Sequence, residues 1–203
     1  MRVKICGFTR PQDVRDALDA GTDALGLNLA RGPRRIGLDQ AVALSALIPP
    51  LVQSVLLFVD ADEESILAAA AATRCGAVQL HGDESPELAS RLRRRLPVIK
   101  AFRIGSAADL DRVRGYPADA YLLDAAVAGA HGGTGTAWDH GLLAGRDLGA
   151  PVILAGGLRP GNVAAAIAAV RPWAVDTASG VESAPAIKDA ELMRSFVRAA
   201  RQA

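Results

Sequence analysis

"PVILAGGLRPGNVAAAIAAVRPWAVDTASG", residues 151–180, decides the fold. An apolar run ends in the paired Gly156 and Gly157, an alanine-rich helical stretch follows over 159–170, and a second apolar run ends at Ser179 and Gly180. Runs this short and this apolar read as strands buried on both faces, and a helix between two of them is the crossover that a parallel pair requires. The same grammar extends back to the N-terminus. "VKICG", "DALGLNL", "SVLLFVD", "AVQLHG", "VIKAFRI" and "AYLLDA" bring the count to eight runs.

Helical signals separate them. "TRPQDVRDALDAG" (9–21) offers Thr9 as N-cap, Pro11 in the first turn, apolar Val14 and Leu18, and Gly21 as a stop. "DADEESILAAAAAT", "SPELASRLRRRL", "SAADLDRVRG" and "DAELMRSFVRAARQA" repeat the pattern, and "LDQAVALSALIPP" is a shorter version ending at Pro49. The segment near "DHGLLAG" (139–145), after the sixth strand, has the least helical pattern. Eight strand–helix units in 203 residues predict a single closed (β/α)8 barrel over 1–203, small for that fold. The alternative is an open doubly wound sheet. No GxGxxG follows the first strand, which argues against dinucleotide binding. The longest expected loop is the glycine-rich 126–138.

Composition narrows the function classes. Half the residues are apolar, enough for one buried core. The formal charge is +1, with no basic stripe or acidic tail, so neither nucleic acid nor a membrane surface is expected as partner. "MRVKICGFTR" lacks the apolar core of a signal peptide, and the apolar runs are too short and too charged for a membrane span. Cys6 and Cys75 have neither metal-knuckle nor CxxC spacing, so a reducing, cytoplasmic setting is expected, with no metal and no cofactor.

Alternate strand residues face opposite sides. The apolar parity should meet the helices, and the mixed parity should fill the barrel and reach its mouth. On that rule Lys4 and Cys6, Gln79 and His81, Lys100 and Phe102, Leu122 and Asp124, and Asp176 are expected inside. Cys6, Asn28, Asp60, His81, Asp124 and Asp176 come late in their strands, at the active end of a barrel. Each also has a plainer reading. Cysteine is often a small buried hydrophobe, which suits Cys75. His81 could be a structural histidine bonded near Asp83 or Glu84, Asp124 could brace the long loop, and "RGPRRI" (31–36) could be a solvated turn. Lys4 could lower the Cys6 pKa or pair with Asp176. The glycines that end the seventh and eighth strands suit a phosphate. Gly156, Gly157, Ser179 and Gly180 would offer backbone N–H groups, closed by a short extra helix.

"KICG", "QLHGDE", "LLDA", "GGTGTAWD", "GGLRPGNV" and "VDTASGVE" occur in an order, and over nearly the whole chain, that resembles the phosphoribosylanthranilate isomerases of tryptophan biosynthesis. The resemblance implies a cofactor-free Amadori rearrangement, with Cys6 as general base and Asp124 as general acid. It also implies that the arginine in "GPRRI", Arg34, binds the substrate carboxylate, with Arg31 and Arg35 beside it. Gly32 and Arg35 stand where the family usually has serine and tyrosine. "DTASG" replaces the usual "DVSSG", so Ala178 can offer only its backbone. The expected partner is a small phosphorylated substrate, and the expected state is a monomer or weak homodimer. Two rivals are a sugar isomerase of the histidine-pathway type, or a dual-substrate version, and a non-catalytic barrel that senses a phosphorylated ligand. The first uses paired aspartates, and Cys6 occupies the first of those places here.

Overall fold

The structure, a computed structural model, describes residues 1–125 and 146–203. Eight parallel strands close into a barrel in chain order. They are β1 (Arg2–Cys6), β2 (Ala24–Asn28), β3 (Gln53–Phe58), β4 (Ala77–Leu80), β5 (Val98–Ile104), β6 (Ala120–Ala125), β7 (Val152–Ala155) and β8 (Ala174–Thr177). β8 pairs with β1, Lys4 opposite Asp176, so the sheet has no edge and the open alternative is excluded. The glycine-rich stretch 126–138 and the helix expected near 139–145 lie outside the described residues. Among the described residues, no helix is long and apolar enough to cross a membrane.

The helices are α1 (Pro11–Asp19), α2 (Leu38–Ser45), α3 (Glu63–Thr73), α4 (Pro86–Arg93), α5 (Val163–Val170) and α6 (Ala190–Arg201). Asp62, Ser85 and Asp189 cap α3, α4 and α6 by accepting a backbone N–H three residues on. Thr9 does not cap α1. The cap position falls on Arg10, because the Thr9 hydroxyl donates instead to the Ala186 carbonyl at 2.8 Å. α2 stops four residues before Pro49. "SAADLDRVRG" forms a 3-10 segment, Ala107–Arg112, held at its start by a Ser106–Asp109 capping box. Runs this short often take the tighter winding.

Strand parity sorts the apolar residues into two cores. Val3, Ile5, Leu25, Leu27, Val78, Leu80, Leu123 and Val175 join the core under the helices. Val55, Ile99, Ala101, Leu122, Ile153 and Ala155 fill the barrel. Below them the four even strands each begin with an inward alanine: Ala24, Ala77, Ala120 and Ala174. Such four-residue layers from alternate strands are how these barrels pack.

β5 departs from the expected parity. Ile99 and Ala101 face inward, so Lys100 and Phe102 face the helices. Lys100 Nζ donates to Glu84 Oε2 at 3.0 Å and to the Gly82 carbonyl at 2.6 Å. Glu84, in the β4–α4 loop, also accepts the N–H groups of Asp60 and Gly82 at 3.0 Å. A buried ammonium goes where a carboxylate can meet it, and that is outside the barrel wall. Phe102 follows and packs edge-on against Tyr116 and Tyr121.

After β8 the chain makes a 3-10 turn, Ser179–Val181, in the place expected for the short extra helix. An antiparallel hairpin then forms from β9 (Glu182–Ala184) and β10 (Ile187–Lys188). Pro185 and Ala186 make its turn, with Ala186 at φ +64.

The Lys100–Glu84 pair has a testable weight. Glu84→Ala leaves a buried ammonium and two amide donors without their acceptor, so urea unfolding should show a loss of about 3–5 kcal/mol. Adding Lys100→Met should return much of it. A loss in Glu84→Ala below about 1 kcal/mol would show that the pair is solvated.

Candidate active site

A cavity of about 250 Å³ opens at the C-terminal ends of the strands. Cys6, Asn28, Arg34, His81, Asp124 and Asp176 line it, as do Gly156, Gly157, Ser179 and Gly180. The candidate residues therefore meet in one mouth. Asp60 is the exception. β3 ends at Phe58, and Asp60, at φ +51, turns its carboxylate to accept the Asp83 N–H at 2.7 Å.

Cys6 closes β1 and is buried. Its thiol lies against Gly26 of β2, where a Cβ would come within 2.5 Å of Sγ. Beneath it Lys4 Nζ donates to Asp176 Oδ1 at 2.9 Å, so the lysine does pair with the aspartate. It also lends the thiol positive charge. Burial pushes the Cys6 pKa up, Lys4 pulls it down, Asp176 raises it, and the net direction is up.

Asp124 sits in β6 between Arg103 of β5 and Ala155 of β7. Burial and then the charge of Asp176 raise its pKa to about 6, with Arg103 opposing. His81 Nε2 lies 3.9 Å from Asp124 Oδ2, and its Nδ1 lies 2.8 Å from Gln79 Nε2. Burial first, then Lys4, Lys100 and Arg103, lower the His81 pKa to about 4. At neutral pH the ring is uncharged, and its contact with Asp124 is no salt bridge. Its partner is Gln79 rather than Asp83 or Glu84, since Glu84 is engaged by Lys100 and two amides.

At the ends of β7 and β8, where a phosphate site is expected, Gly156 (φ +90) and Gly157 (φ +64) hold conformations that favour glycine. A Cβ on Gly180 would meet the Leu158 carbonyl at 1.9 Å, and Thr177 Oγ1 donates to that same oxygen at 2.7 Å. The Thr177 hydroxyl thus ties the β7 loop to β8, and Gly180 packs against the Leu158 carbonyl with no room for a side chain of its own.

Arg34 reaches in over Gly7 and is already bound to a carboxylate. Its Nε donates to Glu182 Oε1 at 2.6 Å and its Nη2 to Oε2 at 2.7 Å. Arg31 and Arg35 do not line the cavity. Glu182 and its neighbour Lys188 were not among the expected site residues, nor was Arg103. Correct parity in β5 would have exposed Arg103, which shares the inward face of Ile99 and Ala101. Gln79 was recognisable beside His81 on the inner face of β4. Its Oε1 is buried and has no partner among the described residues.

A family model described as N-(5'-phosphoribosyl)anthranilate (PRA) isomerase matches residues 3–199. An N-(5'-phosphoribosyl)anthranilate isomerase from Desulforudis audaxviator is 48% identical over 203 residues, covering 99% of this chain and 98% of the relative. The crystal structure of phosphoribosyl anthranilate isomerase from Thermotoga maritima superposes with a TM-score of 0.93 at 38% identity over all of both chains. Another, in complex with reduced 1-(o-carboxyphenylamino)-1-deoxyribulose 5-phosphate, gives a TM-score of 0.90 at 36% identity, again over all of both chains.

Gly26→Ala tests whether the thiol's place matters. The new methyl would lie 2.5 Å from Sγ and 3.0 Å from the Cα and Cβ of Cys6, so a crystal structure should show Cys6 in another χ1 rotamer and β1 eased slightly away from β2. Turnover should fall about 10²-fold in a folded protein. Parental turnover with a displaced thiol would show that Cys6 takes no part in the reaction.

Proposed function

The chain belongs to the N-(5'-phosphoribosyl)anthranilate isomerase family, and from that premise we propose Cys6 as its general base and Asp124 as its general acid. The reaction is the Amadori rearrangement of N-(5-phosphoribosyl)anthranilate to 1-(2-carboxyphenylamino)-1-deoxyribulose 5-phosphate. Asp124 gives its proton to the ring oxygen as the C1–O bond breaks, and the nitrogen lone pair forms the C=N bond of a protonated Schiff base. The Cys6 thiolate takes the proton from C2, and the C–H electrons neutralise the iminium as an enolamine. Tautomerisation then yields the aminoketose. Only protons move, so the scheme draws on no cofactor.

The observation that carries this reading is the shared cavity. Cys6 and Asp124 line one mouth, with the glycine loops and Arg34 around it. We assign the phosphate to Gly156, Gly157, Ser179 and Gly180, and the substrate carboxylate to Arg34. Neutral His81, beside Asp124, contacts the substrate. Every assigned group comes from one chain, so a monomer or weak homodimer suffices. The free thiols of Cys6 and Cys75 fit a reducing compartment, and we place the enzyme in the cytoplasm.

Cys6→Ser and Asp124→Asn should each lower kcat by about 10²–10⁴-fold while product-analogue affinity stays within a few-fold. If Asp124→Asn loses binding and keeps kcat, the acid lies elsewhere and His81 is the next candidate.

The pH profile makes a sharper test. With the acid near 6 and the thiol above its ordinary value, the working form is a protonated acid beside an ionised thiol, which is a minority at neutral pH. Between the two pKa values each unit of pH makes the thiolate tenfold commoner and the acid tenfold rarer. There kcat/KM should be flat. Below about pH 6 the acid is already protonated and only the thiolate is lost, so the rate falls. Above the thiol's pKa only the acid is lost, and the rate falls again. In Asp124→Asn the break near pH 6 should vanish, leaving a rise with thiolate through that range. A parental rate that declines steadily from pH 6 to 8 would contradict the assignment.

A further inference from the structure

Arg34 meets a carboxylate of its own protein before any ligand arrives, and a cation so paired should be a poor anion receptor. The hairpin that follows β8 resolves this. Glu182 takes the side face of the guanidinium, Nε and one Nη2 hydrogen. Nη1 has no partner among the described residues, so the end face of the fork is left for a second carboxylate. Glu182 is itself answered by Lys188, whose Nζ donates to Glu182 Oε1 at 2.9 Å. The two side chains are 5% and 0% exposed. The other Lys188 donors go to the Cys6 carbonyl at 2.7 Å and the Ala178 carbonyl at 2.8 Å. All three ammonium hydrogens are thereby used. The charges of Arg34, Glu182 and Lys188 sum to plus one. Without Lys188 they would sum to zero, and an incoming carboxylate would face Glu182 uncompensated.

We propose that Glu182 and Lys188 act together as a positioning pair that turns the end face of Arg34 toward the substrate carboxylate and keeps its positive charge available. The same lysine ties that receptor to the backbone of the base and of the phosphate loop. This rests on the assignment of the carboxylate to Arg34, and the test separates the two.

Each variant is titrated with the reduced product analogue and with the same compound lacking its carboxylate. The ratio of the two Kd values is the carboxylate preference. Arg34→Ala should abolish it; if it does not, the assignment of Arg34 fails. Given that loss, Lys188→Met should lower the preference about tenfold or more, because Glu182 then cancels Arg34. The double variant Glu182→Gln with Lys188→Met removes one charge of each sign. It should regain most of the preference while kcat falls below the parent's, because the guanidinium keeps at most one of its two bonds to residue 182. A merely structural pair would not give that recovery. An unchanged preference in Lys188→Met, or none regained in the double variant, would overturn the proposal. Should Lys188→Met fail to fold, nitrogen NMR of the parent enzyme decides. The analogue should shift the Arg34 Nη signals and leave Nε–H in its bond to Glu182. Displacement of that Nε–H bond would overturn the proposal equally.

Discussion

One ion pair, Lys4 with Asp176 at 2.9 Å, lies across the seam where the last strand meets the first. Two opposite charges inside a barrel are tolerable only when they meet, because each alone would forgo its hydration with nothing in return. Their meeting requires one register between β8 and β1. A slip of one residue would turn Asp176 out of the barrel and away from Lys4. The seam also supplies the local field. Lys4 sits beneath the Cys6 thiol and favours its ionised form, while the charge of Asp176 reaches Asp124 and favours its protonated form. Closing the barrel and setting the proton inventory of the site are one event.

The same field explains why His81 stays out of the proton balance. Burial and three nearby cations keep it neutral, so it does not stabilise ionised Asp124 as an imidazolium would. Asp124 can then hold a proton well above the ordinary range of an aspartate. The thiol opposite it is held protonated by burial. Carboxyl and thiol thus share one mouth in which burial works against the charged form of each.

The barrel was legible because its signal repeats. Eight short apolar runs separated by helical segments leave few alternatives, and the residues late in those runs fall at one end. Legibility failed where a strand carries charge on both parities. "VIKAFRI" puts Lys100 on one face and Arg103 on the other, and only the distant Glu84 decides which is buried outside the wall. It failed again at Asp60, two residues past the end of β3. The hairpin was hidden for a local reason. Its turn places Ala186 at φ +64, where glycine or asparagine would have announced it. With the hairpin unseen, Glu182 and Lys188 could not be placed near Arg34, 148 residues from its partner. Cys6 and Asp124 could be placed at the mouth because they come late in strands; the groups that hold Arg34 were missed because they follow one.

The bond from Lys188 to the Cys6 carbonyl joins groups 182 positions apart. Synthesis runs in one direction, so the first strand leaves the ribosome long before the lysine that holds its end has been made. At about 5–20 residues per second that interval is roughly 10–40 seconds. For most of it β1 has no β8, Lys4 has no Asp176, and the thiol at position six has no closed barrel around it. The emerging chain therefore carries an unprotected nucleophile and no catalyst. The barrel is completed only when β8 and the hairpin after it return to cover β1.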